Sequence, residues 1–283
     1  MNSFTYNGVN SLDMGLRIES KNVFSATQYE KKFQAIPSRD GDLILPNGRY
    51  PNVQVTYSVF LPAKTLPKLS EKLTAAKAWL FTEPDHYHEL RDTYDTETFR
   101  RAVINTQLDI TDQLNKIGLF TVSFSCLPFK HLNSGFTPVN ISSSPFALTN
   151  PTVFPSKPYI RVYGNGTGRL SINGSLRQSP WDFTDIGGYI EIDSEQMNFY
   201  KSTEPRNDRV TGDGFPILYP GINSIVFSGG ITSVTVEPRW VTLRSPYCTE
   251  RTRSFSPRSD SVRSPTASPV RSPKSATEPL NLF

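Results

Sequence analysis

Cysteine, histidine, methionine and tryptophan are scarce in this 283-residue chain, with two, three, three and three copies. Two cysteines build no disulfide framework. Cys126 closes the run Phe120-Thr121-Val122-Ser123-Phe124-Ser125-Cys126, whose alternate residues are apolar, which predicts a thiol on the buried face of a strand. Cys248 lies in a polar stretch, so no pairing between the two is expected and the chain reads as one that folds in a reducing cytoplasm. Three histidines leave little for a catalytic triad, and no serine occupies a Gly-x-Ser-x-Gly setting. Two longer features are also missing. No run of about 18 apolar residues is present to span a bilayer, and no basic region followed by an apolar stretch marks a secretory leader.

Apolar residues are few as well, at 36%, whereas 23 prolines and 17 glycines imply short elements joined by turns. A mainly β chain of about two domains is the expectation. Charge is sparse and uneven. Residues 246–283 carry six basic and three acidic side chains, which leaves 24 basic and 23 acidic for the first 245 positions. A domain that grips phosphates shows a basic excess; the first 245 residues do not, so nucleic-acid binding is not expected there.

The clearest strand is Val53 to Phe60, with Val53, Val55, Tyr57 and Val59 on one face. A helix follows, with Thr65 as N-cap, Pro67 in the first turn, and Leu66, Leu69, Leu73, Ala76 and Leu80 at helical spacing. Strands resume at Phe99 to Asn105 and Phe120 to Cys126, which makes an α+β, split-barrel-like first domain over 1–133. Residues 132–158 are rich in Ser, Asn, Thr and Pro and mark the boundary. Beyond it the pattern predicts strands at Tyr159 to Tyr163, Arg169 to Ile172, Tyr189 to Ile192, Met197 to Tyr200, Ile222 to Phe227 and Val234 to Glu237. Turn signals at Gly164-Asn165-Gly166, Asn173-Gly174, Gly187-Gly188, Pro220-Gly221 and Gly229-Gly230 separate them, and a β-sandwich over 134–245 follows. The segment 246–283 has eight serines, six prolines and the triplets Arg263-Ser264-Pro265 and Arg271-Ser272-Pro273, a composition expected to stay disordered.

Candidate chemistry is thin. Asp85-His86-Tyr87-His88-Glu89 crowds potential metal ligands, but its alternating histidines do not match a helical zinc pair, and a solvated turn is expected. Gly164-Asn165-Gly166-Thr167-Gly168 leads into a strand rather than a helix, which reads as a hairpin turn and not a phosphate loop. Glu191, Asp193 and Glu195 could form an acid/base pair; the favoured reading is the solvated polar face of a strand. No catalytic residue, cofactor or metal is assigned. Trp181, Tyr189 and Tyr219 are candidate aromatic faces should the sandwich bind carbohydrate.

One ordered set of motifs remains: Phe4-Thr5-Tyr6-Asn7-Gly8, Ser11, Asp13-Met14-Gly15-Leu16, Ile36-Pro37-Ser38-Arg39-Asp40-Gly41, then Phe215-Pro216-Ile217-Leu218, Pro220-Gly221-Ile222-Asn223-Ser224-Ile225 and Pro238-Arg239-Trp240. In this order and spacing it resembles the distal tail (Dit) proteins of long-tailed phages that infect Gram-positive bacteria, over residues 1–243. The resemblance implies a ring-forming first domain, a galectin-like sandwich and a structural rather than catalytic role in the virion. It further implies assembly in the host cytoplasm into a homohexameric ring at the tail tip, with the tail tube protein, the tape-measure protein, the tail-tip hub (tail-associated) protein and a receptor-binding protein as neighbours. DNA would only pass through the lumen. Asp13, Gly15, Leu16, Arg39, Asp40 and Gly41 then belong to the ring-forming domain, and Pro220, Gly221, Asn223, Arg239 and Trp240 to the sandwich. Most read as turn-forming and packing residues, with Gly15 and Gly41 expected at positive φ and Trp240 as a core anchor. The loop Glu83-Pro84-Asp85-His86-Tyr87 is similar to one that follows the helix in that family. The segment 246–283 has no counterpart there.

Overall fold

A computed structural model describes residues 2–243, so the Ser/Pro/Arg-rich segment 246–283 and Cys248 lie outside the described residues. The first half carries β1 (Phe4–Tyr6), β2 (Val9–Asn10), β3 (Arg17–Asn22), β4 (Lys31–Gln34), β5 (Leu43–Pro46), β6 (Val53–Pro62), α1 (Leu66–Leu80), β7 (His88–Asp92), β8 (Asp95–Ile104), β9 (Thr111–Gln113), β10 (Ile117–Cys126) and β11 (Lys130–Leu132). Its antiparallel sheet runs β2-β1-β7-β8-β10-β6-β3, with β9 on β10 and β11 on β8.

The alternation in β6 sets this core. Val53, Val55, Tyr57, Val59 and Leu61 are buried, and β6 pairs with β10 along its whole length, from Pro62↔Ile117 to Val53↔Cys126. Phe120, Val122 and Phe124 of β10 bury beside them, and Cys126 closes the strand with its thiol pushed up to about 12 by burial. The helix spans the residues expected of it, and Leu69, Ala76, Trp79 and Leu80 are its buried positions. Leu66 is half exposed in the first turn, whereas Trp79, which the leucine spacing passes over, seats on the core and donates its indole N–H to the Tyr6 carbonyl at 2.9 Å. The ring of Phe4 stacks on Tyr57 at 4.6 Å and on Trp79 at 5.9 Å.

The second half carries β12 (Val139–Ile141), β13 (Phe146–Asn150), β14 (Tyr159–Asn173), β15 (Trp181–Phe183), β16 (Gly188–Asp193), β17 (Asn198–Lys201), β18 (Glu204–Pro205), β19 (Val210–Thr211) and β20 (Gly221–Glu237). Two turns expected from glycine do not occur. Residues 164–166 and 229–230 lie inside single long strands, β14 and β20, which pair with each other from Tyr159↔Glu237 to Asn173↔Ser224 across a bulge. The physical reason is close backbone approach: a Cβ on Gly230 would sit 1.8 Å from the Asn165 carbonyl oxygen and one on Gly164 2.1 Å from that of Gly230. Before the bulge β14 also pairs with β16; after it, with β15. Both halves bury their apolar faces, Ile160 and Val162 against Leu170 and Ile172, in one core with Trp181, Phe183, Ile190, Ile192, Val234, Val236 and Trp240. The bulge thus bends one sheet into a sandwich.

The chain then returns. β21 (Val241–Thr242) pairs with β11, and β11 pairs with β8 of the first sheet. The last described strand therefore stitches the second half to the first, and the described residues fall in one compact unit.

Candidate functional site

Residues 31–49 are all exposed, and within them β4 and β5 form a two-stranded hairpin of their own. Phe33 opposes Ile44 in the ladder, so their side chains share a face; Leu43 and Leu45 fall on the other. Phe33 is 60% exposed and Ile44 54%. Arg39, Asp40 and Gly41 lie in the loop at the tip, where Ser38 and Gly41 have φ of 64° and 80°. At the base, the Arg49 guanidinium pairs with Glu30 at 2.8 Å and the Glu30 and Asn47 amides close the ladder. Four aromatic rings then pin that base to both halves of the molecule: Tyr29 on Tyr50 at 5.1 Å, Tyr50 on Phe129 at 5.3 Å and Phe129 on Phe154 at 5.2 Å. A free two-stranded hairpin is marginal in water. With apolar side chains on both faces and no cover from the described residues, this one presents an open apolar surface.

The other motif residues are structural supports. Phe4 and Ser11 exchange bonds, with the Phe4 amide on Ser11 Oγ at 3.2 Å and the Ser11 amide on the Phe4 carbonyl at 2.8 Å. Asp13 is exposed in the turn, Gly15 takes φ of 77° as expected, and Leu16 is fully buried. Pro220 and Gly221 lead into β20, and the fully buried Asn223 clamps that turn: its amide oxygen accepts from the Tyr219 amide at 2.9 Å, and its nitrogen donates to the carbonyls of Tyr219 and Gly221.

Pro238-Arg239-Trp240 occupies the crossing between the two sheets. Arg239 has φ of 54°, donates its amide to the Gly135 carbonyl at 2.7 Å, and grips Asp193 with both guanidinium nitrogens at 2.9 and 3.1 Å. Glu195 at 3.5 Å and Glu237 at 3.7 Å complete the set. Trp240 is buried in the sandwich core, as expected of an anchor, and its carbonyl accepts from the Leu132 amide. Only glycine fits opposite: a Cβ on Gly135 would lie 2.3 Å from the Trp240 nitrogen.

The carboxylate cluster differs from a solvated strand face. Glu191 and Asp193 are both buried. Burial raises the Asp193 pKa, but the Arg239 bonds and the Gln196 and Glu195 amides outweigh it and hold the group below its ordinary value. Glu191 is likewise lowered despite desolvation, by Tyr159, by Arg161 at 2.6 Å and by the Ser202 amide. A glycosidase acid needs a raised pKa, so neither carboxylate is arranged as a proton donor; they are the anions of buried ion pairs. Trp181 is also unlike the expected exposed aromatic face: it is fully buried and donates its indole N–H to the Gly214 carbonyl at 3.0 Å. His88 lies in β7 with its ring against Tyr6 at 5.5 Å, and His86 pairs with Asp85. Among the described residues no group of three or more His, Cys, Asp or Glu side chains is placed to hold a metal ion, and no helix is long and apolar enough to cross a membrane.

No protein-family model matches this chain, and no curated protein is similar to it. Solved structures are. Dit (gp 19.1) of phage SPP1, described as a paradigm of the hub adsorption apparatus in phages infecting Gram-positive bacteria, aligns with a TM-score of 0.67 at 13% identity, over 83% of this chain and 98% of that one. The baseplate of phage P2 in its activated conformation with Ca aligns with a TM-score of 0.46 at 7% identity, over 83% of this chain and 97% of that one. The SPP1 likeness shows a common fold, the mainly β architecture that the motif resemblance implied.

Proposed function

We propose that the chain is a structural hub protein of a phage tail tip, in which copies join head to tail through the first half into a closed six-fold ring between the tail tube and the host-adsorption apparatus. The fold shared with SPP1 Dit supports the tail-tip role, and the uncovered hairpin β4–β5 supports the assembly. A rotational ring matches two different faces of each subunit, and each contact buries more than about 1,000 Å² in total, the floor for a specific interface. An apolar arm that projects from one copy is one such face.

In this reading the domains divide at residues 133 and 134: the first half makes the ring and the sandwich projects outward. The tail tube and tail-tip hub proteins stack on the two rims, a receptor-binding protein docks at the periphery, and the tape-measure protein and DNA pass through the lumen. Near balance of charge over the first 245 residues agrees with a channel along which DNA slides. The role is architectural and no catalysis is proposed. The test is light scattering and electron microscopy of the full chain at several concentrations. Six-fold rings are expected; a strict monomer at high concentration, even with tail-tip partners present, overturns the reading.

A further inference from the structure

The outer face of the sandwich carries an unusual set of side chains. Register places Ser233, Tyr163 and Tyr189 side by side across β20, β14 and β16, and Asn140, Thr235 and Arg161 side by side one step along. Residues directly opposed in antiparallel strands point to one face, so these six form one platform. At its β12 edge lies a groove of about 430 Å³ lined by Asn140, Ser142, Tyr163, Ser233 and Thr235, with Ile141 and Val234 between them. Asn140 and Thr235 fix each other, Thr235 Oγ1 donating to Asn140 Oδ1 at 2.8 Å, which leaves the Asn140 amide hydrogens directed by that bond. The Tyr163 and Tyr189 rings lie 6.4 Å apart, tilted by 49°. Tyr189 is held by a bond between its hydroxyl and Ser202 and by the Arg161 and Lys201 cations, each 5.4 Å from its ring.

We infer that this groove is a binding site for a neutral saccharide, with a hexopyranose unit on the Tyr163 ring. The chemistry of the lining carries the assignment. A pyranose offers one C–H face and a rim of hydroxyls; an aromatic face packs the first, and amide and hydroxyl side chains pair the second. The groove lining holds those three group types together with the apolar Ile141 and Val234, and its side chains include no carboxylate, ammonium or guanidinium. The cations Arg161 and Lys201 stand outside it, at Tyr189, so the unit on Tyr163 itself is a neutral one. Its volume falls in the range of small-molecule sites. Glu191, beside Arg161 in the next strand, is held by Arg161 and Tyr159 and does not line the groove. The site does not depend on ring formation.

The test is saturation-transfer NMR and titration of the full chain with maltose, cellobiose, N,N′-diacetylchitobiose and β-1,4-galactobiose, with poly(glycerol phosphate) as the charged comparison. Transfer to the ring C–H protons of at least one neutral disaccharide is expected. Tyr163→Ala should weaken it about tenfold, consistent with loss of one aromatic contact. Tyr163→Phe, which keeps the ring, should stay within about twofold by the same reasoning, and Tyr219→Ala should change nothing. Melting curves separate misfolding from lost contact, and Asn140→Ala supplies an independent probe of the groove. Absence of transfer to every neutral disaccharide, binding by Tyr163→Ala equal to the parent, or binding of poly(glycerol phosphate) alone overturns the assignment.

Discussion

Arg239 does three things at once: its backbone adopts φ of 54°, its amide bonds to the Gly135 carbonyl, and its guanidinium neutralises Asp193. The side chains of the pair are 14% and 5% exposed, so water does little to compensate if one partner goes. Arg239→Met should therefore cost about 3–5 kcal/mol at neutral pH, read from denaturant midpoints. Trp240→Ala removes the adjoining anchor and should cost about 3–5 kcal/mol; an unchanged midpoint contradicts its burial. His131 adds a pH dependence. Burial first, then the positive charges of Arg101 and Arg239, lower its pKa from 6.5 to about 4. Between those values the unfolded chain binds a proton that the folded chain does not, so stability is complete above pH 6.5 and is lost as pH falls toward 4. The full effect is roughly 3 kcal/mol. His131→Phe, which retains the stack on Phe99, should flatten stability measured from pH 7 to 4.5, while leaving the carboxylate-driven loss below about pH 4.

At the scale of elements, strand and helix content was legible where period alone decides. Val53 to Phe60 alternates and forms a strand; the leucines of 66–80 repeat and form a helix. Trp79 was passed over because one aromatic within a leucine series changes neither the period nor the face. Gly164, Gly166, Gly229 and Gly230 misled for a different reason: turns and bulges select the same residue, and only the cross-strand partner, more than 60 positions away, distinguishes them. The buried state of Glu191 and Asp193 was hidden likewise, since their arginines arrive from β14 and from beyond β20. The bulge makes a graded prediction. Gly166→Ala has open space around its Cβ and bears only φ of 69°, a cost of about 1–2 kcal/mol. Gly230→Ala meets the Asn165 carbonyl at 1.8 Å and must displace backbone. Denaturant midpoints should rank Gly230→Ala as the more damaging by a clear margin; the reverse order contradicts the close strand approach.

For the whole molecule, the motif Arg39-Asp40-Gly41 was visible in the chain, but the projection of its hairpin was not, because exposure depends on what fails to pack against a segment. Lys31–Gln34 and Leu43–Pro46 are short and their apolar residues sit on both faces, so no single amphipathic face announces them. That same arrangement makes the assembly prediction sharp. Phe33→Ser with Ile44→Ser removes the most exposed apolar pair of the hairpin, and neither side chain contributes to either core. Exposed positions of this kind change stability by about 0.5 kcal/mol or less, so at concentrations too low for assembly the melting temperature should stay near that of the parent. Light scattering should nonetheless show the double variant as a monomer at concentrations where the parent forms rings. A ring contact made through the apolar hairpin should survive salt raised to about 1 M, where the screening length falls to about 3 Å. Rings that dissolve in salt point to an interface of ion pairs, and a double variant that assembles like the parent removes the hairpin from the contact.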